Sequence, residues 1–397
     1  MPRAVVVLPS TTYRAGDFVA AAESLGIDLV VASEQPPPFE MGDNYLQIDC
    51  SNPEEAARQV TALGDDVPLD GVVAADDSGV IVAALAGTAL GLGSNSSDAA
   101  SATRNKWLMR QHLAGGEVPQ PEFELLTIEA EPGTVVPYPI VVKPLDRSAS
   151  QGVIRVDSPR DLDATLDRIR RIIDDDTAPL LVEHYISGAE IAVEALLSNG
   201  ELTVLAIFDK PDMGDGPTFP ETIFVTPSRL EKSVQVDAIR VAETAVQTLG
   251  LVHGPAHIEM RVIDGRPHVI EIAARSIGGL CSRSLNFGLM GTSLETLILR
   301  NAIGMEKPEL KRESHSSGVL MIPTPNSGRL IGYDGLDQVR LIDGITGFDL
   351  TMQPGSDVLA PPEADRYAGF VYASASTPQL VEDALRTAMA TVLVNVL

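Results

Sequence analysis

Between His257 and Arg275 the chain alternates apolar and polar residues with a period of two. Ile258, Met260 and Val262 interleave with His257, Glu259 and Arg261, and Ile270 and Ile272 interleave with Glu271, Ala273 and Arg275. Alternation of that period predicts two strands, each with one apolar and one chemical face. Asp264-Gly265 between them is a strong turn signal, so the pair reads as a hairpin. Near the start strand-type runs lie at 4–8, at 28–31, where Asp28 leads into Leu29-Val30-Val31, and at 71–75, where Gly71 leads into Val72-Val73-Ala74-Ala75, with a helical stretch at 17–25. Such strands alternating with helices predict a parallel α/β layer. Further strand-type runs lie at 139–144, at 179–190 with a break at Ser187-Gly188 before 191–197, and at 202–208, closed by Lys210.

Register decides whether the two hairpin acids meet. A loop centred on Gly265 sets Glu259 opposite Glu271 on one face, whereas a two-residue Asp264-Gly265 loop turns them to opposite faces. Pro267 cannot donate to a ladder and favours the longer, odd loop. Directly opposed carboxylates, about 5 Å apart at Cβ, repel unless something positive sits between them. A divalent cation answers that need. Oxygen ligands suit Mg²⁺ or Mn²⁺, and a pair of such ions about 4 Å apart clamps phosphate oxygens. Two unrelated glutamates on a solvated strand face are the alternative.

Two other segments carry chemistry. The run 139–144 contains Lys143 and leads at once into Asp146-Arg147-Ser148-Ala149-Ser150-Gln151-Gly152. Small residues let backbone N–H groups converge on an anion, with the lysine adding a point charge; an ordinary hairpin turn fits the same residues. No Gly-x-x-x-x-Gly-Lys-Ser/Thr sequence is present, which excludes a P-loop. Around Glu183, Ile186 and Glu190 a broken strand offers exposed backbone groups to an adenine edge and a second acid to ribose hydroxyls, although glutamates are common on edge strands. Lysine is scarce: six occur, and Lys106, Lys143 and Lys210 are three of them. Lys210 reads equally as a further phosphate contact or a solvated strand end.

In this order the segments resemble the ATP-grasp superfamily of ADP-forming ligases over roughly residues 95–305. Asn105-Lys106-Trp107-Leu108-Met109-Arg110, followed by Gly115-Gly116-Glu117-Val118-Pro119, looks like the family's opening helix. The resemblance implies that Lys106 and Lys143 contact ATP phosphates and that Ser148, Ser150 and Gly152 belong to a phosphate-covering loop. It further implies adenine at Glu183 and the Ile186 backbone, ribose at Glu190, one or two Mg²⁺ (or Mn²⁺) ions at Glu259 and Glu271, and Arg275 and Lys143 as the catalytic side chains. Members commonly read Glu-x-Asn-x-Arg in the last strand, and here Ala273 takes the Asn position. One metal ligand is therefore missing, which leaves the number of ions open.

The tail resembles the C-terminal domain of the L-amino-acid ligase branch, through 318–323, 344–347, 367–373 and an amphipathic stretch at 377–394. The expected fold is α/β (α+β): a parallel α/β domain at 1–100, an ATP-grasp domain at 101–305 with a lid-like part near 120–190, and a small α+β domain at 306–397. The activity implied is phosphorylation of a carboxylate to an acyl phosphate, which an amine then attacks. His257 is a candidate to assist the amine or, more simply, a histidine bonded within the sheet. Gly278 and Gly279 are candidates for close substrate approach, and the Pro/Gly-rich stretch 211–220 for a lid. A carboxylating enzyme using bicarbonate, or a nucleotide-binding module without turnover, would share this frame.

Composition narrows the partners to small molecules. At 44% hydrophobic and 21% charged the chain is globular rather than disordered. A net charge of −26 argues against nucleic-acid binding, which needs a basic surface. No apolar run is long enough to span a membrane or form a signal-peptide core, and Cys50 and Cys281 make no disulfide framework, so a cytosolic protein is expected. A homodimer is left open.

Overall fold

The computed structural model describes the 397 residues apart from 11, 37–41, 43, 128–135, 213, 289–290 and 307–314. Strands β1 (Arg3–Val7), β2 (Asp28–Ser33), β3 (Tyr45–Gln47) and β4 (Gly71–Ala74) form a parallel sheet in the order β3-β2-β1-β4. Helices α1 (Ala15–Leu25), α2 (Pro53–Asp66) and α3 (Val80–Ala89) accompany it. Residues 4–7 have no exposed surface, as the unbroken apolar run requires of a strand covered on both faces. Strand order reverses at β1, and the crevice beyond the carboxyl ends of β1 and β4 is where open α/β sheets take ligands. Pro9, Tyr13, Asp76 and Asp77 stand there.

Helices α4 (Ser97–Arg104) and α5 (Lys106–Gly115) lead away from this sheet. Asn105 caps α5, its side chain accepting from the amides of Trp107 and Leu108, which fixes Lys106 at the first helical position. Strands β5 (Phe123–Leu126), β6 (Ile140–Pro144), β7 (Ile154–Val156) and β8 (Leu180–His184) form a small antiparallel sheet, with α6 (Leu162–Ile173) packed on it through Leu162, Leu166 and Ile169. The Pro/Gly-rich stretch docks on this sheet: the Arg155 amide donates to Pro217 O at 2.7 Å and Tyr185 Oη to Asp215 at 2.9 Å. Met213 of that stretch lies outside the described residues.

The centre is an eight-stranded sheet. Strands β9 (Ala189–Ser198), β10 (Glu201–Lys210), β11 (Ile223–Thr226), β12 (Gly254–Ile263), β13 (Arg266–Ala273) and β14 (Ser316–Ile322) contribute to it, with α7 (Lys232–Leu249) and α8 (Leu294–Ala302) between them in the chain. After β15 (Gly328–Asp334) and α9 (Leu336–Val339), strand β16 (Ile345–Leu350) joins the same sheet; β17 (Asp357–Val358) pairs with β15, and β18 (Gly369–Ala375) returns to the centre. The spatial order is β13-β12-β9-β10-β11-β14-β18-β16, so strands from both sides of residue 306 share one ladder. Helix α10 (Pro378–Thr391) packs against β14 and β18, and β19 (Leu393–Val396) pairs with β15.

Three details depart from the sequence expectation. The run at 179–190 breaks around Ser187-Gly188 as expected, but the strand that resumes, β9, belongs to a different sheet from β8. The amphipathic stretch at 377–394 ends as helix at Thr391, after which alternate exposure marks strand β19. In the hairpin, Ile263 pairs with Arg266, so the loop is the two-residue Asp264-Gly265, with φ of 50° and 74°, and not the odd loop that Pro267 favours. Glu259 nonetheless faces Glu271, because the register shifts by one between Glu259 and Met260. Ile270 is the extra residue of a β-bulge, half-buried, and Val269 takes the core position expected for it.

Candidate active site

One face of the central sheet gathers charge. Lys210 ends β10 and is buried, its Nζ donating to Glu190 at 2.7 Å, Glu259 at 2.9 Å and Glu221 at 3.0 Å. The other oxygen of Glu190 accepts from Arg261 Nε at 2.9 Å, and Arg261 Nη1 donates to Ile186 O at 2.9 Å. On β12, His257 bonds Glu194 through Nδ1 at 2.9 Å and Glu259 through Nε2 at 3.3 Å. Across the rung, Glu271 accepts from Lys106 Nζ at 2.9 Å, and that ammonium also donates to Arg147 O at 2.5 Å. Charges so far from water persist only when paired, since an unpaired buried ion costs several kcal/mol.

Titration follows from this packing. Burial would lift the Glu259 carboxyl, but Lys210 and then His257 hold it well below its ordinary value. Glu221 is pushed up to about 7, first by burial, with the Glu259 charge adding to it against Lys210. Burial works against the His257 cation, yet the two glutamates raise it to about 9, so at neutral pH both ring nitrogens are donors. A second pair lies deeper. Glu183, at 2% exposure, takes Arg110 Nε and Lys143 Nζ, each at 2.6 Å. Burial opposes its charge, Arg110 and then Lys143 outweigh burial, and the carboxyl sits at about 2. Burial lowers Lys143 despite that partner.

A cavity of about 330 Å³ opens where the sheets meet. Of the residues expected at the site, Glu259, Glu271, Arg275, His257, Gly278, Gly279, Ser148 and Ser150 line it; Lys106, Lys143, Gly152, Glu183, Ile186, Glu190 and Lys210 do not. Lys106 and Lys210 reach it through the carboxylates they hold. Ala149 and Ser150 have φ of 54° and 57°, adjacent non-glycine residues in the left-handed region, a strain that marks functional loops. Gly279, at φ 59°, is demanded by packing: a Cβ there would lie 2.6 Å from the Phe370 ring. Cys281 also lines the cavity, its thiol pushed up by burial.

Other lining residues escaped the sequence. Asp77 accepts from Arg275 Nε and Nη2 at 3.1 and 3.0 Å; Arg104 Nη1 lies 3.5 Å from its other oxygen. The signal existed, since 71–77 is an apolar strand ending in two acids at a parallel sheet's carboxyl edge. Glu221, Tyr13, Arg366 and Tyr367 left no such mark. They come from irregular segments, with Arg366 Nε bonded to Tyr13 Oη at 2.9 Å and the Glu221 amide to Tyr367 Oη at 3.1 Å.

The donor set fits magnesium without a preformed cage. Among the described residues no group of three or more His, Cys, Asp or Glu is disposed to hold a metal. The rung supplies two carboxylates, and Mg²⁺ is commonly held by one or two carboxylates with phosphate and water completing its octahedron.

A family profile described as the ATP-grasp domain matches residues 136–284, one described as the ATP-grasp N-terminal domain matches 19–93, and one described as L-amino acid ligase C-terminal domain 2 matches 320–396. This chain belongs to the ATP-grasp superfamily of ligases. The crystal structure of an L-amino acid ligase from Bacillus licheniformis superposes on the ATP-grasp chain with a TM-score of 0.83 at 25% identity, covering 100% of this chain and 99% of that one. An uncharacterized protein y4rH of Sinorhizobium fredii is 23% identical over 98% of this chain and 82% of its own length. Alanine–anticapsin ligase of Bacillus subtilis is 26% identical over 60% of this chain, and the match spans just 56% of that protein. Among the described residues no helix is long and apolar enough to cross a membrane.

Proposed function

We propose that this ATP-grasp chain is an ADP-forming carboxylate–amine ligase, joining an amino acid or similar carboxylate to an amine through an acyl phosphate. The observation that carries the reading is that one cavity unites the Glu259–Glu271 rung, Arg275 and the Ser148–Ser150 loop. A carboxylate is a poor electrophile because oxide leaves badly, and phosphorylation supplies a leaving group. Magnesium, when bound at the rung, supplies positive charge between phosphate oxygens. Lys106 and Lys210 hold the two rung acids in place, and Lys106 can turn to an incoming phosphate because its ammonium already faces the loop at Arg147 O. Glu183 has both oxygens committed to Arg110 and Lys143, so we assign it to anchoring Lys143 rather than to adenine. By the same count Glu190, whose oxygens are committed to Lys210 and Arg261, and Ile186, whose carbonyl accepts from Arg261, are assigned to holding those cations rather than to ribose and adenine. Arg275 offers N–H donors to the oxyanion formed as the amine attacks, and pre-set donors of this kind are usually the largest single contribution to catalysis. His257, charged and bonded at both nitrogens, orients Glu259 and does not take the amine's proton.

In this reading residues 1–100, 101–305 and 306–397 act as three parts around that cavity, the first and last closing it through Tyr13 and Arg366. Release of ADP and phosphate across a matrix of amino acids and amines, with mass detection of the coupled product, tests the proposal. Nucleotide binding with no turnover for any pair would reject it, and turnover dependent on bicarbonate alone would redirect it to carboxylation.

A further inference from the structure

We infer that Asp77 is a positioning residue for this reaction: its carboxylate grips the side edge of the Arg275 guanidinium and leaves the end of the fork for the anion formed in the cavity. The inference rests on the role proposed above for Arg275. A guanidinium has five N–H donors in a rigid plane. Three are engaged here, Nε and Nη2 by Asp77 Oδ2 and Nη1 by Ser276 O at 3.0 Å. One N–H therefore remains on each terminal nitrogen of a side chain that lines the cavity. That is a two-pronged edge, the shape that matches a phosphoryl or tetrahedral oxyanion.

The grip is rigid because both backbones are tied together nearby. Arg14, 1% exposed, donates from Nη1 to Ala75 O at 3.0 Å and to Ile277 O at 3.3 Å, two residues before Asp77 and two after Arg275. Its Nη2 is anchored on Glu295 at 2.7 Å. Glu194 accepts the Ile277 amide, and Asp76 accepts the Asp77 amide at 2.7 Å. Asp77 also reaches the serine loop, because Arg104, beside its second oxygen, donates to Asp146 O at 3.1 Å. An acid from the N-terminal sheet thus sets the angle of an arginine from the central one.

A bridge that only joined two sheets would cost stability and nothing else, so the test separates the two. Asp77→Asn, Arg275→Lys and the double variant are compared with wild type for ADP release at saturating substrate, for KM of ATP and by thermal melting. The expected result is a fall in kcat of about 10- to 100-fold in Asp77→Asn, with KM for ATP within about threefold. The double variant should then be no slower than Arg275→Lys by more than about twofold, because residues acting through one group do not add. Wild-type kcat in Asp77→Asn, or losses that multiply in the double variant, overturns the inference. Should Asp77→Asn not fold, Asp77→Gly is assayed with added formate: recovery of kcat supports the inference, and indifference to formate in folded protein overturns it. Wild-type protein that releases no ADP with any acid and amine would remove the ligase reading itself, whereas wild-type turnover with an unaffected Asp77→Asn removes this inference alone.

Discussion

Ala273 stands across the hairpin from His257, next to the acids, at a position that lines the cavity. Replacing it with Asn adds one oxygen ligand beside Glu271. Ala273→Asn should lower the Mg²⁺ concentration that half-saturates ADP release at fixed ATP, and an unchanged Mg²⁺ curve would count against a metal at this rung. Glu271→Gln removes one of the two carboxylate groups proposed to hold the metal, while Lys106 keeps its bond to Arg147 O. Turnover should fall by about a hundredfold or more, in line with other losses of transition-state charge stabilisation, with little change in melting temperature. Glu183 differs, because its loss strands two buried cations, and breaking a buried pair costs about 3–5 kcal/mol. Its pKa supplies a sign. The native carboxyl sits at about 2 against 4.5 for an unperturbed one, so its contribution is complete above 4.5 and disappears as pH falls towards 2. The stability deficit of Glu183→Gln, measured by urea unfolding, should therefore narrow from pH 4.5 downward. At this scale alternation put Glu259 and Glu271 each on a polar strand face, while their meeting depends on a bulge that alternation does not encode. The partners of Glu183, Arg110 on α5 and Lys143 on β6, are brought to it by tertiary structure that periodicity does not encode.

Among the elements, the hairpin is the clearest case of a correct outcome reached by another route. Pro267 argued for an odd loop, yet it sits at the core face and the ladder absorbs it opposite Val262; Ile270 makes up the count. An apolar residue in a strand-like run gives no sign that it is a bulge. The turn itself is testable. Gly265→Ala puts a side chain at φ 74°, which costs roughly 1–2 kcal/mol in left-handed backbone, while the nearest atom, Val234 Cγ2 at 3.7 Å, leaves room. Chemical denaturation should show that loss with turnover retained, since the chemistry lies beyond the bulge. The loop that covers the cavity is tied elsewhere: the Gly152 amide donates to Pro362 O at 2.9 Å, Gln151 to Glu363 O at 3.0 Å, and Arg168 forks onto the Glu363 carboxylate at 2.7 and 3.0 Å. These ties join distant segments, so nothing in the local sequence announces them.

For the molecule as a whole, a net charge of −26 means that a polyanionic substrate approaches against a repulsive field. Salt shortens the range of that field to about 10 Å at 0.1 M. Raising KCl from low concentration to physiological strength should therefore lower KM for MgATP, the reverse of what a basic nucleotide site shows, and a rise would mean that local cations dominate the encounter. The eight-stranded ladder carries a different consequence. Strand β11 meets β14 along Ile223–Thr226, four residues that are all buried. A truncated protein ending at residue 305 would present that greasy rim to solvent as a bare template, and such rims recruit further chains. Residues 1–305, cut free for expression, are expected to come out of the cell as aggregate.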